Sequence, residues 1–228
     1  MSLALGLWDS KGTVILYYNN TIRRNKYKGL QMKTVKRLRD NISQSEMKHL
    51  INYTNSDVSL RPLRKQRLIL SFQLLHALAL RANELTQITN AKMVELLEQG
   101  QTKIVAHKQK MEKVIYLTPR AKKTIKALLP NLQANNDYIL VSGRGSKQTP
   151  LEPSSVLRDL NSYLSKVFPT KNITSHSFRA SLVSELINDK NISVKVVQQL
   201  VGHKDISTTY LYAKVSTENI MNSLTMVR

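Results

Sequence analysis

From Ser43 onwards apolar residues recur at helical spacing. Ser43-Gln44-Ser45-Glu46 has the form of a capping box, with Met47, Leu50 and Ile51 following on one face, which predicts a helix start at Ser43. Between Arg64 and Gln87, Leu68, Leu70, Leu74, Leu75, Leu78 and Leu85 return at helical intervals around Ala77 and Ala79, predicting two helices joined by a bend near Leu80-Arg81. The period then shortens: 102–106 and 113–117 are β-prone runs flanking the polar stretch His107 to Glu112, the pattern of a hairpin with a basic loop. Thr118 can cap a helix with Pro119 at its first position, and Pro130 ends it. A further strand is expected over 137–141, followed by the loop Ser142-Gly143-Arg144-Gly145-Ser146. Helices resume near 153–167, 176–187, 194–200 and 208–214, with Gly202 as a stop between the last two. The fold class predicted is mainly α with a small antiparallel sheet (α+β), without internal repeat or low-complexity tract.

Residues 1–42 have a different texture. The short apolar run Val14-Ile15-Leu16-Tyr17-Tyr18 leads into a basic segment that includes Arg23, Arg24, Lys26 and Lys28. It reads either as a solvated helix or tail, or as an arm along a DNA backbone. The expected organisation is therefore a basic N-terminal extension or arm over 1–42 and one main domain over 43–228.

Composition narrows the function. A chain of 228 residues with 41% hydrophobic content can bury a core, which excludes disorder as the dominant state. Against 15 acidic residues stand 35 basic ones, a formal charge of +20 that attracts polyanions. The cations are spread through periodic segments instead of one tail, which suits a groove that tracks phosphates. Cysteine is absent, which excludes disulfides, zinc ribbons and thiol nucleophiles. No apolar run is long enough to cross a bilayer, and the opening MSLALGLWDSKG is too short and poorly flanked for a signal peptide. The expectation is a soluble, intracellular, DNA-associated protein without a membrane partner.

Three separated segments carry candidate chemistry: Ala79-Leu80-Arg81-Ala82-Asn83-Glu84-Leu85, then Ser175-His176-Ser177-Phe178-Arg179, then Val201-Gly202-His203 followed by Ser207-Thr208-Thr209-Tyr210-Leu211-Tyr212. In order and spacing they resemble the tyrosine recombinase family, with its phage integrase and Xer-like members. The family pattern is an arginine in a "GLR..EL" turn, an "H..R" box, an "LGH" turn and a tyrosine beyond it. The resemblance covers roughly 43–216.

The residue types suit phosphodiester cleavage without metal. Charge building on the non-bridging oxygens needs fixed donors, and a guanidinium supplies two parallel hydrogen bonds without losing its proton. The resemblance implies that Arg81 and Arg179 form that clamp, that His176 assists proton transfer and that His203 hydrogen-bonds a phosphate oxygen. His176 and Arg179, three apart, share one helix face. The departing 5′-hydroxyl needs an acid, and the family's loop lysine falls on Lys108, with Lys110 as the alternative. The implied nucleophile is Tyr212, with Tyr210 as competitor, since a phenol forms a phosphoester that can wait for a second strand. Glu84 either orients the site or makes a helix-face ion pair.

Departures from the pattern are Ala79 for the usual glycine, Val201 for leucine, and Ala180 where many members have histidine. The short N-terminus lacks room for the usual core-binding domain, as in the short phase-variation recombinases of fimbrial switches, and raises the expectation of an accessory protein. The implied function is a site-specific recombinase working through a 3′-phosphotyrosine, without metal, ATP or other cofactor, on double-stranded DNA, as a homotetramer on two sites. The segment 217–227 is the candidate for docking on a neighbour, or packs on its own domain. A catalytically silent DNA-binding regulator of the same fold is the alternative. An RNA-binding protein explains the charge but not the spacing, and His176 argues against a type IB topoisomerase.

Overall fold

A helix that is apolar on every side belongs in the middle of a bundle. From Leu68 onwards helix α2 (Pro62–Leu78) comes close to this, burying Leu68, Ile69, Leu70, Phe72, Leu74, Leu75 and Leu78 after a basic, partly exposed first turn. The computed structural model describes residues 6–8, 14–16, 39–106, 111–141 and 151–213. The chain divides into two units, Met1–Arg37 and Leu38–Arg228. In the first, β1 (Gly6–Trp8) and β2 (Val14–Leu16) pair antiparallel. The basic segment proposed as an arm lies almost wholly outside the described residues.

In the second unit, α1 (Gln44–Ser56) begins at the capping box the sequence indicated, with Ser43 Oγ accepting from Glu46 N and Glu46 accepting from Ser43 N. Helix α2 packs against α1, α3 (Ala82–Leu85), α5 (Pro119–Leu128) and α7 (Ser175–Ser184). Phe72 is the pivot, stacking on Phe178 of α7 at 5.9 Å and on Tyr163 of α6 (Pro153–Val167) at 6.2 Å. Strands β3 (Gln101–Ala106) and β4 (Met111–Tyr116) form the hairpin. Helices α8 (Val194–Val201) and α9 (Ser207–Tyr210) complete the described chain.

The mainly helical fold with a small antiparallel sheet agrees with the sequence reading, and four local expectations differ. Helix α4 (Asn90–Gln99) was not anticipated, although Thr89 caps it and Gly100 closes it in the left-handed conformation. The strand expected over 137–141 is reduced to isolated bridge positions at Tyr138, which pairs with Thr89, and at Val141. Its polar groups go elsewhere: Asp137 O accepts from Asn90 N at 2.7 Å and Asn135 O from Ala91 N at 2.8 Å, satisfying donors that the first turn of α4 leaves open. Helix α7 loosens after Ser184 into a π-helical turn, Glu185–Asp189, instead of running evenly to Ile187. The last helix spans only Ser207–Tyr210, and within it the buried Thr209 shares a hydrogen bond with His203.

Ala79, which closes α2, has φ 49 and ψ 33, a conformation glycine adopts freely. The strain, about 1–2 kcal/mol, is offset by its buried methyl, packed with Val183, Val197 and Val201 and contributing about 0.8 kcal/mol. Ala79→Gly is therefore expected to move stability by less than about 1 kcal/mol, read from urea unfolding; a loss beyond about 2 kcal/mol would show that packing dominates.

Candidate active site

Arg81 ends the bend between α2 and α3, where extended backbone (φ −78, ψ 150) turns its side chain back on the short helix. Its backbone N–H donates to Glu84 Oε2 and its Nη1 to Glu84 Oε1, both at 2.9 Å. Glu84 is fully buried, so this is no solvated helix-face pair.

Arg179 reaches the same place from α7. The start of that helix is held by α6, because Ser175 N donates to Asn161 Oδ1 at 2.8 Å, while Thr174 N donates to Ser177 Oγ at 3.0 Å. Its guanidinium is buried and donates from Nη1 to Ala79 O at 2.9 Å and from Nη2 to Val201 O. Ala79 lies two residues before Arg81 and Val201 two before His203, so one side chain ties the three segments together. Two of its five N–H donors are spent on those carbonyls. Burial, then the neighbouring Arg81, lower its pKa to about 10, which leaves it charged at neutral pH. His176 is exposed on the first turn of α7, one turn before Arg179.

Gly202 closes α8 at φ 68, and the chain turns to present His203. Gln198 holds this turn, its carbonyl accepting from His203 N at 3.0 Å and its Nε2 donating to His203 O at 3.1 Å. His203 Nδ1 and Thr209 Oγ1 share a hydrogen bond of 2.9 Å. Burial, followed by repulsion from Arg179, Arg81 and Lys113, pushes the imidazole down to about 4, so it is neutral at physiological pH. Tyr212 stacks on it, ring centroids 6.4 Å apart and planes 17° apart. The backbone carbonyl of Tyr212 accepts from Asn188 Nδ2 at 2.9 Å, and Asn188 lies on the π-helical turn. Tyr210 is 56% exposed and faces away from this packing.

Arg81, Arg179, His203 and Tyr212 thus gather around one region. Lys108 and its alternative Lys110 lie outside the described residues, as does 217–227. Sequence reasoning missed Lys113, used only as the start of a strand. Its side chain is 6% exposed, with Nζ 3.8 Å from Glu84 Oε2, and its stem runs over Gly202, whose missing Cβ would stand 3.2 Å from Lys113 Cδ. The available signal was the two-residue alternation of β4, which puts Lys113 on the same inward face as buried Ile115.

Burial lowers Lys113 from 10.5 to about 8, opposed by Glu84 and reinforced by Arg179 and Arg81. Between those values the unfolded chain keeps a proton that the folded one has released, so stability rises with pH across this window. The rise is at most about 3–4 kcal/mol, at about 1.4 kcal/mol per pH unit over the interval from about 8 to 10.5. Urea melts of wild type and Lys113→Met measure it; a rise of equal size in both proteins would assign it to other groups.

Among the described residues no cluster of three or more His, Cys, Asp or Glu side chains could hold a metal ion, and no helix is long and apolar enough to cross a membrane.

The sequence model of the phage integrase family matches residues 40–219. The chain is 26% identical to a tyrosine recombinase XerA of Pyrococcus horikoshii over 193 residues, covering 84% of this chain and 62% of the relative. It is 27% identical to a tyrosine recombinase of Thermosipho africanus over 208 residues, covering 89% and 65%. The chain spans about three fifths of the length of these relatives. Among solved structures, the Tn1549 transposon integrase in complex with a circular intermediate DNA superposes with TM-score 0.67 at 13% identity, over 85% of this chain and 67% of the other. XerH recombinase bound to its difH substrate gives TM-score 0.62 at 16% identity, over 97% and 59%. At such identities the likeness is one of fold.

Proposed function

The chain belongs to the phage integrase family, and from that premise we propose that it is a tyrosine-type site-specific recombinase that breaks and rejoins double-stranded DNA. The observation that carries this reading is the Arg179 side chain, bonded at once to the turn before Arg81 and the turn before His203. Two of its five N–H donors go to those carbonyls, and the guanidinium stands beside Arg81, His203 and Tyr212, a set that phosphoryl transfer needs and DNA binding alone does not.

The phenolic oxygen of Tyr212 attacks the scissile phosphorus. As the O–P bond forms, the bond to the 5′-oxygen breaks, leaving a 3′-phosphotyrosine and a free 5′-hydroxyl. The phenolic proton passes to His176, and the loop lysine, Lys108 or Lys110, supplies the proton the 5′-oxygen needs. Arg81 and Arg179 donate to the non-bridging oxygens, and neutral His203, with Nδ1 engaged by Thr209, adds a hydrogen bond through its other ring nitrogen. The 5′-hydroxyl of a partner strand then reverses the step, so bond energy is conserved in the phosphoester and neither ATP nor a metal is consumed. Strand exchange between two duplexes calls for four protomers, with 217–227 as the docking segment and an accessory protein to supplement DNA grip. Relatives solved with DNA support DNA as the substrate.

The test lets the protein select its own DNA site. A pool of nicked duplexes, randomised around the nick, is incubated with the protein, and covalently held DNA is recovered by phenol partition and sequenced. The expected product is a tyrosine-linked adduct with a free 5′-hydroxyl on an inverted-repeat consensus. Tight sequence-specific binding without any adduct would instead make the chain a silent regulator of the same fold.

A further inference from the structure

The buried ammonium of Lys113 has no part in the mechanism above. Among the described residues its Nζ has no hydrogen-bond partner, and the nearest carboxylate oxygen, Glu84 Oε2, is 3.8 Å away. A buried ammonium left without hydrogen bonds is costly, so its retention calls for a role. Its position suggests one. Through Glu84 it meets the Arg81 turn, and through Gly202 it meets the His203 turn.

Charge balance gives the same answer. Arg81 is tied to Glu84 by two hydrogen bonds, so Glu84 alone would cancel one of the two guanidinium charges. With Lys113 included, three cations face one carboxylate, and His203 is neutral. The described residues thus hold a surplus of two positive charges against the double negative charge of a pentacovalent phosphorus, where the ground-state phosphodiester carries only one; the loop lysine, having given its proton to the 5′-oxygen, adds none. A group that completes this match acts on the transition state more than on binding.

We infer that Lys113 is a positioning residue for strand cleavage: it counterbalances Glu84 from the β-hairpin, so that Arg81 stays aimed and uncancelled for the phosphate, an inference that rests on the recombinase reading. The ammonium does not touch the DNA. Its charge is sensitive to pH because burial lowers its pKa to about 8; Arg179 from α7 and Arg81 from the cap of α3 push the same way, Glu84 from α3 opposes them, and His203 lies nearby on the turn after α8.

The experiment uses the full chain and the nicked duplex recovered from the randomised pool, in two forms: the ordinary phosphodiester, and one with sulfur as the bridging 5′ atom, whose thiolate departs without an acid. Lys113→Met is expected to slow adduct formation at saturating protein roughly tenfold to a hundredfold on both substrates, with half-saturation of DNA binding moved less than about threefold and the thermal midpoint not lowered. Lys113→Arg is expected to restore most of the rate and to keep it as pH rises through about 8, where the wild-type rate falls. Equal rates for wild type and Lys113→Met would overturn the inference while leaving the recombinase reading intact. Restoration of Lys113→Met on the sulfur substrate alone would overturn it too, by making Lys113 the proton donor. Absence of an adduct from every protein, wild type included, would sink the recombinase reading and this inference with it.

Discussion

Tyr212→Phe is expected to abolish the covalent adduct outright, while Tyr210→Phe keeps its rate within about threefold of wild type. The substitution at 212 deletes one oxygen and little else. The ring still stacks on His203, and the Asn188 hydrogen bond is made to a backbone carbonyl that phenylalanine retains. Fold, DNA affinity and thermal midpoint should therefore be unchanged, so the missing adduct cannot be assigned to misfolding. The loss should be complete, because among the described residues no other phenol stacks on His203. Tyr210 is the control that the local sequence demands, two residues away but largely in solvent. Adduct formation that survived Tyr212→Phe and disappeared with Tyr210→Phe would move the nucleophile and require α9 itself to rearrange on DNA.

What was readable in the sequence was what local periodicity and residue chemistry can encode. The capping box at Ser43, the bend at Arg81, the hairpin and the stop at Gly202 each follow from a few neighbouring residues. Long-range pairings were not readable. The segment around Asp137 has a strand-like composition, but its carbonyls serve the first turn of α4, forty-odd residues earlier in the chain. The π-helical turn carries Asn188, whose side chain bonds the Tyr212 carbonyl 24 residues further on, and no short motif marks it. The box around Arg179 marks it as a phosphate ligand, yet two of its donors are already committed to backbone carbonyls. Lys113 stands apart, because the alternation that would have exposed an inward-facing lysine lay within the hairpin already identified. Lysine on the buried face of a strand is rare enough to be a signal in itself.

Arg179→Lys separates charge from shape and is expected to be nearly as damaging as removing the side chain. Lysine keeps one positive charge in the site but has a single donor head, so it cannot reach Ala79 O and Val201 O while also presenting donors to a phosphate. A buried carbonyl left without its donor costs about 1–3 kcal/mol, and the bridge between the bend and the Gly202 turn is weakened. Stability should fall by that amount, and the cleavage rate on the selected duplex by about 10²–10³-fold, because Arg81 and His203 are no longer held to one geometry. DNA affinity should fall far less, since a net charge of +20 supplies most of the attraction to phosphates. Adding salt to both proteins checks this: the two binding curves should weaken in parallel while the gap in cleavage rate persists at saturation. A lysine variant that cleaved within a few fold of wild type would mean that position 179 needs charge alone, and the proposal that its forked geometry assembles the site would be wrong.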